Sequence, residues 1–127
     1  MVTRFSEPLF VISVAARLVE MHPQTLRKYE REGLVAPSRT SGNLRLYSDS
    51  DIEQLRQVKY LVEKRGLNLA GVQLALDLTR QLRKLQQAQR NAAQVDIDAE
   101  LDKILCALGF VDQSRINNRE QDDAAGD

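Results

Sequence analysis

The chain has 127 residues, the length of one compact domain with a modest appendage. Its side chains are 43% hydrophobic and 28% charged, enough apolar surface for a real core, which excludes overall disorder. Lys plus Arg and Asp plus Glu each number 18, so the formal net charge is zero and a uniformly basic polyanion binder is excluded.

In chain order, residues 1–9 read as a loose arm. Ser13 is placed to cap a short helix over about 14–20, with Val14, Ala15, Leu18 and Val19 at helical spacing. A second helix begins almost at once. Pro23 suits a first helical position, where its missing N–H costs nothing, which makes His22 the cap. This helix runs to about Arg31 and is stopped by Gly33, the residue best able to take a left-handed C-terminal conformation. Two short helices joined through Glu20-Met21-His22 have the length pattern of a helix-turn-helix.

Pro37 then blocks helix, and Gly42-Asn43 reads as a tight turn between short extended runs at 38–41 and 44–47, a hairpin carrying Arg39 and Arg45 on its arms. Ser48-x-x-Asp51 resembles a capping box and opens a longer helix, apolar at Ile52, Leu55, Val58 and Val62 and stopped at Gly66. Asn68 caps the next, with Leu69, Val72, Ala75 and Leu76 inward. From Leu78 the pattern changes: Leu78, Leu82 and Leu85, spaced 4 and 3 apart in a Gln/Arg/Lys-rich surface, form a short coiled-coil seam suited to dimerisation that fades at Gln89, Ala92, Asp96 and Ala99. A terminal helix over about 99–108 puts Leu101, Ile104, Leu105 and Leu108 on one face, and Gly109 ends it. The remainder, from about 112 on, is polar and acidic and is expected to be disordered.

Catalysis has little to work with. There is one His, one Cys and no Trp, and no G-x-S-x-G, HExxH, P-loop or paired-cysteine motif, so neither enzyme activity nor a cofactor or metal site is expected. The single cysteine rules out an intramolecular disulfide and suits a reducing compartment. No apolar run approaches the roughly 20 residues of a membrane span. The apolar patch near the start follows Glu7 and Pro8 and is not followed by a cleavage pattern, so a cytoplasmic protein away from membranes is expected.

The zero net charge conceals an asymmetry. Residues 1–66 hold 11 basic and 8 acidic side chains, and 67–127 hold 7 and 10. Within 21–47 five basic side chains stand against two acidic ones, beside the one histidine, which is where an anionic partner would land. The second helix presents Gln24, Thr25, Arg27 and Lys28 near its N-terminal half. Such a helix fits the DNA major groove, where Arg and Lys read guanine and Gln reads adenine, and its N-terminus favours a phosphate. The hairpin would carry Arg39 and Arg45 to the backbone or the neighbouring minor groove.

Each of these residues has a plainer reading. Arg27 and Lys28 suit an ordinary solvated helix face, Tyr29 and Tyr47 suit packing against a core, and Arg39 and Arg45 suit edge-strand gatekeepers. Their concentration in one short window favours DNA. His22 reads as a cap, and Cys106 as a small core residue of the terminal helix. Asp96, Asp98, Glu100 and Asp102 alternate, but Leu101 and Ala107 stand where a calcium loop needs glycine and a bidentate glutamate, so the run reads as the negative start of a helix.

The run TLRKYEREGL, then RTSGNLRLYS, Asp51-Ile52 and GLNLAGV, occurs in order over residues 10–78 and resembles the winged-helix DNA-binding domain of the MerR family, in particular its heat-shock-repressor (HspR-type) branch. The resemblance implies a mainly α fold: a winged helix-turn-helix DNA-binding domain with a small β-hairpin wing at 10–78, a C-terminal dimerisation helix within 79–108, and an acidic tail at 109–127. It also implies a homodimer on an inverted repeat of double-stranded DNA, with C-terminal helices paired antiparallel. Carried over residue by residue, the DNA contacts would be Gln24, Thr25, Arg27, Lys28, Tyr29, Arg39, Thr40, Ser41, Arg45 and Tyr47. Two departures stand out. Asn43 and Leu44 both intervene between wing glycine and arginine, where the activator pattern has one residue. The metal-sensing branches carry several cysteines, where this chain has only Cys106.

Three functions follow. In the heat-shock branch the chain would repress chaperone genes with an Hsp70-type chaperone as co-repressor. A MerR-type regulator answering a small molecule or redox signal is the alternative, against which the short C-terminal half speaks. A MerR-like modulator of a co-chaperone that no longer binds DNA is the third, and the retained Arg27, Lys28, Arg39 and Arg45 speak against it.

Overall fold

The computed structural model describes residues 4–91 and 96–110. A short 3-10 turn at Arg4–Ser6 leads into β1 (Pro8–Val11), α1 (Ile12–Val19), α2 (Pro23–Arg31), β2 (Ser38–Arg39), β3 (Arg45–Ser48), α3 (Asp49–Glu63), α4 (Leu69–Arg90) and α5 (Ile97–Ala107). The fold is mainly helical with a small sheet, the winged helix-turn-helix expected. The chain divides into two compact units, 1–73 and 74–127, and the division falls within α4. No helix among the described residues is long and apolar enough to cross a membrane.

In the first unit the sheet runs β1-β3-β2, antiparallel throughout. The arm expected over 1–9 is therefore partly wrong. Phe10 pairs with Tyr47 and Val11 with Leu46, across an irregularity between Pro8 and Phe10, so β3 is a central strand. This strand also moves the start of α1. Val11, extended at φ −67° and ψ 160°, is the N-cap and offers no side-chain bond, while Ser13 lies inside the first turn and is exposed.

The chain leaves α1 through Glu20 in the left-handed region at φ 56°. His22 caps α2 as expected, its Nδ1 accepting the Gln24 N–H at 3.0 Å with Pro23 next in line. Beyond α2, Gly33 takes φ 77°, and the Leu34 N–H returns to the Tyr29 carbonyl at 2.9 Å. That geometry costs glycine little and other residues more. Ser48 and Asp51 exchange both bonds of a capping box at 3.0 Å each, which starts α3. Asn68 accepts the Gly71 N–H at 2.9 Å at the start of α4.

The core of this unit gathers Ala15, Ala16 and Val19 of α1, Leu26 of α2, Val35, Tyr47 of β3, and Ile52 and Leu55 of α3. The two alanines keep α1 slim on its inner face, so α2 and α3 can both approach it. Phe10, Ile12, Met21 and Tyr29 pack around this cluster.

In the second unit, Leu76 and Ile104 are buried. Leu78 and Leu85 are half-buried and Leu82 is 53% exposed. Asp96 caps α5 through the Ala99 N–H at 3.1 Å, with Asp98 and Glu100 in the first turn, so the acidic run begins a helix as expected, starting two residues earlier than 99. Cys106 is exposed and not a core residue, because two residues beyond buried Ile104 is about 200° around the helix. Of the tail at 109–127, all but Gly109 and Phe110 lies outside the described residues, as does Ala92 of the fading seam.

Candidate nucleic-acid interface

Helix α2 has two unlike faces. Leu26 is fully buried, and Tyr29 is half-buried against the core. Burial, helped by the charges of Glu32 and Glu63, pushes the Tyr29 phenol above its ordinary pKa, so it stays neutral. The other face carries Gln24, Lys28 and Arg31, all exposed, with Arg27 half-buried beside them. Positions i, i+3, i+4 and i+7 share one helical stripe. Thr25 is half-buried at the edge of that stripe. Lys28 lies 3.9 Å from Glu32, an exposed contact that holds the ammonium only weakly.

The hairpin is closed by Thr40. Its N–H donates to the Leu44 carbonyl at 2.9 Å and its carbonyl accepts from Asn43 at 2.9 Å. Its hydroxyl accepts the Leu44 N–H at 3.0 Å. Asn43 takes φ 64°, a left-handed position asparagine tolerates better than most residues. Ser41 and Leu44 are exposed at the tip.

Wing and helix are joined by one carboxylate. Glu30 Oε1 accepts from Arg39 Nη2 at 2.5 Å, and Oε2 accepts from Arg45 Nε at 2.6 Å. Arg39 also donates through Nη1 to the Asn43 carbonyl at 3.3 Å. Burial works against the charge on Glu30, but the hydrogen bonds and charges of Arg45 and Arg39 outweigh it and hold the carboxyl below its usual range. Glu30 thus ties the wing to α2 beside the basic stripe.

Of the residues anticipated as DNA contacts, Gln24, Thr25, Arg27 and Lys28 lie together on or beside the outer stripe of α2, and Arg39, Thr40, Ser41 and Arg45 lie together on the wing. Tyr47 does not join them. It is fully buried, and its hydroxyl has no hydrogen-bond partner among the described residues. It shares a pleat face with Arg45 but lies two residues further from the hairpin tip, in the core that Leu26 completes. Glu30 and Arg31 went unanticipated. Arg31 is reachable from sequence by continuing the stripe one turn past Arg27 and Lys28. The role of Glu30 depends on contacts 9 and 15 residues away, for which the sequence carries no local signal.

The family model described as "MerR HTH family regulatory protein" matches residues 10–79, the strands, helices and wing just described. The chain belongs to the MerR family. That family is one of regulatory proteins with a helix-turn-helix, not of enzymes. It is 52% identical over 90 residues to "Putative heat shock protein HspR" of Streptomyces coelicolor, covering 70% of this chain and 60% of that one, which agrees with the branch resemblance. It is 41% identical over 73 residues to the HTH-type transcriptional regulator GlnR of Bacillus cereus, covering 58% and 56%. The chain therefore spans less than two thirds of the length of these curated relatives. The crystal structure of the transcription regulator PbrR691 from Ralstonia metallidurans CH34, in complex with lead(II), superposes with a TM-score of 0.54 at 26% identity, over 91% of this chain and 84% of that one.

Proposed function

We propose that this chain represses heat-shock or chaperone genes by binding an inverted-repeat operator as a homodimer, with an Hsp70-type chaperone as co-repressor. The observation that carries the reading is the 52% identity over 90 residues to a heat shock protein of the HspR type, beside a family match that includes the α2 and wing surface. In this reading 10–78 is the DNA-binding domain. Gln24, Arg27 and Lys28 face the major groove, with Thr25 at the edge of that stripe, and the wing of Arg39, Thr40, Ser41 and Arg45 lies against the flank.

Dimerisation falls to 79–108 and the seam that enters it, Leu78, Leu82 and Leu85. Its support is apolar surface that a single copy leaves open. Leu82 is exposed, as are Leu101 and Leu105 of α5 and Leu108 at its C-cap, and Leu82, Leu85 and Ile97 line an open groove of about 480 Å³. Such a surface on a soluble chain marks an interaction site.

Footprinting on the chain's own upstream region, with and without purified Hsp70-type chaperone, tests the reading. Protection of a symmetric site that strengthens with chaperone is expected. Coupling between two binding events is reciprocal and typically amounts to about 1–3 kcal/mol, roughly 5- to 150-fold in affinity. Protection unaffected by chaperone overturns the co-repressor part, and absence of any symmetric footprint overturns the operator part.

A further inference from the structure

We propose that Glu30 is a positioning residue of the DNA interface, which divides two wing arginines into a brace and a contact. The proposal rests on the DNA-binding reading above and adds to it a residue of the wrong charge. A carboxylate beside a surface meant for phosphates is electrostatically unfavourable, and its geometry gives the reason for its presence.

The two arginines use it differently. Arg39 spends both Nη groups internally, one on Glu30 Oε1 and one on the Asn43 carbonyl, so it ties α2 to the left-handed residue of the wing turn. Arg45 gives Glu30 only its Nε. Among the described residues its two Nη groups have no partner, and they lie at the far end of a planar fork whose direction Nε fixes. Arg39 is the brace that holds the turn against α2. Arg45 is the contact, its guanidinium held ready for a phosphate or a narrow minor groove. Two cations and one anion leave the cluster with a net charge of +1, so it still attracts DNA while its arms are held in place.

This arrangement makes Glu30→Gln an informative change, because charge and position predict opposite signs. Removing a negative charge from the interface should tighten binding to every duplex if Glu30 is only a repelling group. If Glu30 positions the wing, affinity for the footprinted upstream duplex should fall by tenfold or more, while affinity for a scrambled duplex of the same length stays level or rises. The ratio of specific to non-specific affinity therefore decides. A parallel rise on both duplexes, or an equal fall on both, overturns the proposal.

Arg45→Gln should lower the slope of log affinity against log salt by about one per protomer, and Arg39→Gln should leave that slope nearly unchanged. Equal slopes for the two variants overturn the division of roles. Hydrogen exchange on the DNA-free protein provides the independent arm. The Thr40 amide, bonded to the Leu44 carbonyl, should exchange at least fivefold faster in Glu30→Gln and in Arg39→Gln, with exchange in α3 unchanged. Unchanged Thr40 exchange overturns the brace. If the wild-type chain binds neither duplex, the DNA reading fails, and with it the contact role of Arg45, while the exchange data still decide the brace.

Discussion

Lys59 and Glu20 meet 39 residues apart in sequence, where α1 ends: the Lys59 ammonium donates to the Glu20 carbonyl at 3.1 Å and to the neighbouring Val19 carbonyl at 3.2 Å. The last carbonyls of a helix lack intrahelical partners and gather partial negative charge, so an ammonium satisfies both needs. Here it also secures the left-handed Glu20, whose conformation costs a non-glycine residue about 1–2 kcal/mol. The turn between α1 and α2 is thereby held from α3.

Lys59→Met keeps most of the aliphatic stem and removes the donor. We expect a loss of about 1–2 kcal/mol in urea unfolding, the usual range for hydrogen bonds to a charged group at a partly exposed site. Glu20→Gly should act the other way, stabilising by up to about 1 kcal/mol, since the ion pair it deletes is 3.9 Å long and solvent-exposed. If Lys59→Met unfolds at the wild-type urea midpoint, α1 and α2 keep their turn without it.

Tyr47→Phe separates core from interface. The hydroxyl is buried without a partner, so deleting it removes an unmet desolvation cost and should leave stability equal or raise it by about 1 kcal/mol. Operator affinity should be unchanged. A tenfold loss in affinity with unchanged stability would return Tyr47 to the DNA surface.

Much of this fold was legible because its signals are local. His22-Pro23, Ser48 with Asp51, Asn68 and Asp96 each stand within three residues of the amides they cap, and Gly33, Gly66 and Gly109 mark left-handed exits. What was not legible depends on distant partners. β1 is four residues long, opens with proline, and forms only because β3 lies 37 residues on to receive it. Tyr47 alternates correctly for either face of a strand, and only the packing of α1 and α3 against β3 decides that it is buried. Glu30 falls on the inward half of the α2 wheel, where a charge looks like an error until Arg39 and Arg45 arrive from the wing.

The stripe on α2 predicts graded effects. Arg27→Ala should cost about 1–3 kcal/mol on the preferred duplex and relax preference at one position per half-site, as expected of a side chain reading a base edge. Lys28→Ala and Arg31→Ala should weaken all duplexes alike and each lower the salt slope by about one per protomer. Titrations at several salt concentrations on preferred and scrambled duplexes distinguish the two behaviours. If none of the three changes alters affinity at moderate salt, α2 is not the reading helix.

Dimerisation is expected to rest on Leu78, Leu82 and Leu85. Leu82 is 53% exposed in a single copy, far from the environment a leucine reaches in a core. Covering these side chains on two copies, at roughly 25 cal/mol per Å² of apolar surface, yields several kcal/mol before the cost of association, enough to pair chains with help from neighbouring contacts. A double change, Leu82→Asp with Leu85→Asp, puts two carboxylates from each chain into that surface, where desolvation and mutual repulsion both oppose pairing. Sedimentation should then show monomers, and binding to a symmetric duplex should fall to the level of a half-site, while the first unit, whose core lies elsewhere, keeps its thermal transition. A variant that still sediments as a dimer would move the interface to α5, where Leu101, Leu105 and, at its C-cap, Leu108 are also exposed, and Leu101→Asp with Leu105→Asp would then be the change that separates the chains.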